Sequence, residues 1–172
     1  MLLNNFSFLF AILICVALLA ACNDKEPEIE FSVTVSPVSE KEYKKIGATK
    51  DFVESKQEDF KLFEFNLNMK HTDLVKERNI EMYKFDNMNQ AIDEIDDNSR
   101  FWYGSWSIQG NESENFATYN QDLVFYAKDL SDNDIKKAFS NEKITISWIN
   151  HKNEKIRKEY NLSDLVEFDT NN

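Results

Sequence analysis

From Phe60 to His71 the chain alternates, with Phe63, Phe65, Leu67 and Met69 on one side and Lys61, Glu64, Asn66, Asn68 and Lys70 between or opposite them. A period of two belongs to an extended strand, because successive Cβ atoms point to opposite faces of a sheet. One face of this stretch seeks a core and the other seeks water. Its length suits a central position in a sheet.

The same signature appears earlier, where Ile29, Phe31, Val33 and Val35 alternate with Glu30, Ser32, Thr34 and Ser36. Pro37, which has no N–H to offer a ladder, ends that strand. Ser39 to Ile46 is ambiguous: Ser39 is placed to cap a helical turn carrying Tyr43 and Ile46, with Gly47 closing it. Asn79 to Phe85 reads as a further strand. In Asn87 to Asp97 the residues Met88, Ala91, Ile92 and Ile95 recur at helical spacing. Arg100 to Gln109 is aromatic and β-prone, and Gly110 to Asn115 has turn composition. A strand at Asp122 to Lys128 follows.

Ser131 then opens a short helix, with Asp134 three residues on as a capping-box partner and Ile135, Ala138 and Phe139 as its apolar side. The last part reads as a hairpin, Ile144, Ile146 and Trp148 going out and Ile156, Lys158, Tyr160 and Leu162 returning, with His151 to Glu154 as the turn. Leu165 to Phe168 adds an edge segment. Seven or so strands at these spacings, with a short helix before the hairpin, predict a mainly β chain. The expected fold is an immunoglobulin-like or related antiparallel β-sandwich with one or two short helices.

Ahead of this domain, Phe8 to Ala21 is an unbroken apolar run of 14 residues, the size of a signal-peptide core and too short to span a bilayer. It runs into Leu19-Ala20-Ala21-Cys22, and this stretch resembles the lipobox of bacterial lipoproteins. The resemblance implies removal of residues 1–21, a diacylglyceryl group on the Cys22 sulfur, and anchoring on the outer side of the cell membrane. Two or more acyl chains hold durably where one binds reversibly. Residues 22–28 then form a short tether, able to reach about 20 Å, and residues 29–172 a single domain. The abundance of Lys, Asn, Phe and Ile resembles lipoproteins of low-GC Gram-positive bacteria.

All charged side chains lie after residue 21, so the formal net charge of −11 belongs to the remaining part. Nucleic acid is excluded as a partner by that sign, since its phosphates need Lys and Arg to release counterions. Electrostatic adhesion to anionic lipid is disfavoured for the same reason, which leaves the membrane to be held through the N-terminal lipid. A protein of the envelope with a basic surface suits the sign better. With Cys15 in the leader and Cys22 acylated, the domain has no thiol for a disulfide, and its stability rests on packing.

Catalysis finds little support. The two histidines, His71 and His151, lie at a strand end and in a turn, and no metal-ligand spacing of His or Cys is present. Gly47, Gly104 and Gly110 are too scattered for a phosphate cradle, and there is no nucleophile elbow. The chain is therefore expected to be no enzyme and to use no cofactor.

Two surface features remain as candidate binding sites. In the aromatic stretch, strict alternation places Trp102, Gly104, Trp106 and Ile108 on one face and Phe101 and Tyr103 on the other. Gly104 leaves room for the two indoles, so core packing is the expected role of this stretch; the alternative is that Phe101 and Tyr103 form an exposed contact patch. Asp93, Glu94, Asp96 and Asp97 crowd a helix C-terminus, where the dipole disfavours negative charge, so a cation, a basic neighbour or water must compensate. The spacing does not match a calcium loop. Lys152, Lys155, Arg157 and Lys158 form a basic strip whose expected role is protection of an edge strand. Two readings of function follow, with an enzyme of unknown class as a third and disfavoured one. One is a non-catalytic binding or accessory module of the envelope, the other an inhibitor or immunity lipoprotein that neutralises a cationic enzyme or toxin.

Overall fold

The computed structural model describes residues 26–49, 55–82, 85–96, 98–110 and 114–169. Cys22 and Asp97 lie outside them. Eight strands form two sheets. β1 (Glu28–Pro37), β2 (Phe60–Lys70), β4 (Phe101–Gln109), β5 (Phe116–Tyr126) and β8 (Val166–Phe168) make a five-stranded sheet in the order β4-β5-β2-β1-β8. β3 (Lys76–Glu81), β6 (Lys143–Ile149) and β7 (Lys155–Asn161) make a three-stranded sheet in the order β3-β6-β7. Apart from β8, which lies parallel to β1, every pairing is antiparallel. The first seven strands thus have the order of a constant-type immunoglobulin domain, A-B-E-D facing C-F-G. The expected mainly β sandwich is the fold observed.

The alternation in β2 explains its central place. Phe63, Phe65, Leu67 and Met69 are fully buried between the sheets, together with Val33 and Val35 of β1, Leu123 and Phe125 of β5, and Ile144, Ile146 and Trp148 of β6. Each such side chain contributes about 1.5–3 kcal/mol by leaving water. A smaller cluster lies on the outer face of the larger sheet. Here Ile46 and Tyr43 of α1 (Glu40–Thr49) cover Phe60, Val124 and Trp102.

Three further short helices, α2 (Phe85–Asp93), α3 (Asp132–Ala138) and α4 (Leu162–Leu165), connect the strands, more helices than the one or two expected. α3 begins as the sequence indicates: Ser131 Oγ accepts from Asp134 N, and Asp134 accepts from Ser131 N. Ser39 likewise caps α1 through a reciprocal pair with Glu42. Gly47 does not close that helix, which runs on to Thr49. β3 lies earlier than the expected 79–85, because a bulge between Lys76 and Asn79 turns Arg78 inward. There its guanidinium donates to the carbonyls of Glu114 and Phe116. β5 begins at Phe116 rather than Asp122, since its polar first half pairs with β2 throughout.

Candidate functional site

β4 is an edge strand of the larger sheet, and its register breaks at its root. Phe101 pairs with Phe125 and Tyr103 with Val124, so Trp102 is an extra residue in a bulge. That one insertion corrects the expected faces. Phe101 turns toward the main core, half-buried, while Trp102 and Tyr103 both join the cluster under α1. Beyond the bulge Gly104, Trp106 and Ile108 lie on the side of Leu123, Gln121 and Tyr119, their partners on β5. The opposing sheet has only three strands, and β4 extends past its cover. Trp106 is therefore 61% exposed and Ile108 50%. Phe101 and Tyr103, the alternative contact patch, are partly buried against the two clusters. Trp106 and Ile108, expected in the core, are the exposed ones.

The acidic stretch is divided between the protein and solvent. Asp93 Oδ1 accepts from the backbone N–H groups of Arg100 and Phe101 at 2.6 and 2.7 Å, fixing the start of β4. Asp96 takes a bidentate grip on Arg100, 2.8 Å from Nε and 2.6 Å from Nη2, and the third arm of the guanidinium donates to the carbonyls of Tyr126 and Lys128. The Arg100 side chain hydrogen bonds, with help from Asn98, hold the Asp96 carboxyl far below its ordinary range. Arg100 is thus the basic neighbour that the helix end requires. Glu94 is exposed and accepts from Gln90. The structure brings Asp93 and Asp96 to the root of β4 and leaves Glu94 apart from Phe101 and Tyr103.

Sequence reasoning missed groups on both sides of this edge. On the inner side Gln121, opposite Trp106, is only 5% exposed, and its amide nitrogen meets no acceptor among the described residues. On the outer side a depression of about 230 Å³ is lined by Glu42, Lys45, Leu62, Tyr103, Ser105 and Asp122, among others. Asp122 accepts from Ser105 Oγ at 2.7 Å and sits opposite Glu64 on β2. Burial, and then the charges of Asp122 and Glu42, raise the Glu64 carboxyl above its ordinary value. The Tyr103 hydroxyl is raised by the same three influences. Among the described residues three carboxylates, Glu42, Glu64 and Asp122, against the one cation Lys45, thus lie beside a strand that carries no charge of its own. One sequence signal foretold this: Phe101 to Gly110 is free of charge in a chain that is 30% charged.

A larger cleft of about 460 Å³ runs between α2 and α3, lined by Glu94, Ile95, Lys137 and Glu142, among others. Among the described residues no three His, Cys, Asp or Glu side chains converge to hold a metal, and no helix is long and apolar enough to cross a membrane. The fold and the edge define a class, a two-sheet β-sandwich with an uncharged, regular sheet edge among the described residues. Comparison with family models, with curated proteins and with solved structures finds no match to this chain.

Proposed function

We propose that the chain is a membrane-anchored lipoprotein facing out of the cell, whose sandwich serves as a non-catalytic binding or accessory module of the envelope. The observation that carries the reading is the Leu19-Ala20-Ala21-Cys22 stretch directly after a 14-residue apolar run. A sandwich of this strand order is a scaffold for recognition surfaces rather than for one chemistry, so function rests on what its surface presents. The carboxylates Glu42, Glu64 and Asp122 favour a second form of the reading, in which the module occupies a cationic enzyme or toxin. Strong weakening of partner binding by salt supports that form.

Metabolic labelling with a radioactive fatty acid, followed by membrane fractionation, tests the anchor. The wild-type chain takes up label and sediments with membranes, whereas Cys22→Ser loses both and keeps its leader. Unaltered labelling and retention in Cys22→Ser overturns the proposal.

A further inference from the structure

The sandwich has four strand edges, and three are defended. β7 bears Lys155, Arg157, Lys158 and Glu159. β3 bears Lys76, Glu77, Arg78 and Glu81 and is broken by a bulge. β8 is three residues long. Charge, irregularity and shortness are the usual means by which a sheet prevents another chain from pairing with its border. β4 has none of them beyond its root: from Tyr103 to Gln109 it is regular, uncharged, and paired on one side only among the described residues. Its inner side shows Trp106 and Ile108 to water, and the Gln121 amide beneath Trp106 meets no acceptor among the described residues.

We propose that β4 receives an extended segment of a partner polypeptide as a sixth strand of the larger sheet, and that this segment alternates basic and apolar side chains. The inference rests on the reading of the domain as a binding module and names its partner. Main-chain hydrogen bonds to the free border of β4 supply affinity, and alternate side chains supply specificity. Side chains on the inner side of the added strand lie against Trp106 and Ile108 and must be apolar. On the outer side, between Tyr103 and Gln109, the nearest groups are Ser105 and Ser107, both short. A strand added at the usual spacing of about 4.8 Å stands about 10 Å from β5, and a Lys or Arg stem crossing Ser105 spans that gap to Asp122. Glu64 and Glu42 lie just beyond, three carboxylates against the single Lys45 among the described residues, so the outer positions select positive charge. A second copy of this chain fits less well. Its own β4 offers no positive charge to these carboxylates, and both copies carry the same excess of negative charge.

The test uses the full chain in detergent and a labelled, end-capped peptide of alternating lysine and valine about as long as β4, with binding read by fluorescence anisotropy. Trp106→Ala and Ser105→Lys each weaken binding at least about tenfold while leaving the melting temperature unchanged, because both side chains are exposed. Asp122→Asn weakens it too, and added salt does the same. Equal binding of a glutamate–valine peptide overturns the charge assignment. Equal binding of a lysine–valine peptide methylated on alternate backbone nitrogens overturns strand addition, as does failure of the probe to bind at all. Sedimentation that shows a dimer dispersed by Trp106→Ala gives the edge to a second copy and likewise overturns the proposal. Fatty-acid labelling is scored separately: an unlabelled chain that binds the probe removes the anchor and leaves the edge standing, whereas a labelled chain that does not bind removes the edge alone.

Discussion

Arg100 joins three parts of the chain through one side chain. Its guanidinium is nearly buried and donates to Asp96, to the Tyr126 carbonyl and to the Lys128 carbonyl, so α2, β4 and the end of β5 share a junction. Arg100→Ala leaves those carbonyls unmet and is expected to cost about 1–3 kcal/mol in urea unfolding. The pH dependence of the pair has a definite sign. Asp96 titrates below its unfolded value, so its contribution is complete above about pH 4 and is lost as pH falls through the depressed folded value. Asp96→Asn is therefore less stable than wild type at neutral pH, and the two thermal unfolding curves converge in strong acid. A wild-type-to-variant difference that does not change with pH contradicts the pairing. At this scale the sequence was half legible. Crowding of carboxylates at a helix end is visible in the order of residues. That the compensating cation is Arg100, only four positions beyond Asp96, depends on the turn of residues 94–96 folding back on the helix.

At the scale of elements, the bulge in β4 decides which indole holds the fold and which faces solvent. Trp102 lies in the small cluster against Phe60, their ring centroids 5.3 Å apart. Trp102→Ala is expected to cost about 3–5 kcal/mol, whereas Trp106→Ala changes stability by no more than about 0.5 kcal/mol. Urea titration of the two variants checks the contrast, and the reverse ranking rules out the register. Ser131→Ala removes the reciprocal cap of α3 and is expected to lower stability by about 1 kcal/mol, measured in the same way. Strong alternation made β1, β2 and the β6–β7 hairpin readable, because each has one face in the core and a register that cannot slip. Phe101-Trp102-Tyr103 misled for a physical reason. Three large rings in succession cannot all follow an alternation in which one face is wet, and the chain resolves this by inserting a residue. The polar first half of β5 was missed because its place in the sheet is set by pairing with β2, a partner distant in sequence.

Across the whole molecule, β8 alters how the ends of the domain are arranged. After β7 the chain leaves the smaller sheet through α4, buries Leu162 and Val166, and lies beside β1 pointing the same way, Val33 against Val166 and Val35 against Phe168. Entry at Glu28 and exit at Asp169 consequently occupy opposite poles. On the proposed lipid anchoring, the entry pole lies at the membrane and the exit pole outermost. A pull between the poles runs along the length of β1 and β8, so their cross-links are strained sideways all at once instead of being peeled apart in turn. Stretching single molecules by handles at residues 28 and 169 should meet greater resistance than handles placed across the β6–β7 hairpin, whose two ends leave side by side. Under the proposed anchoring, the domain is fastened along the line on which its tether would drag it.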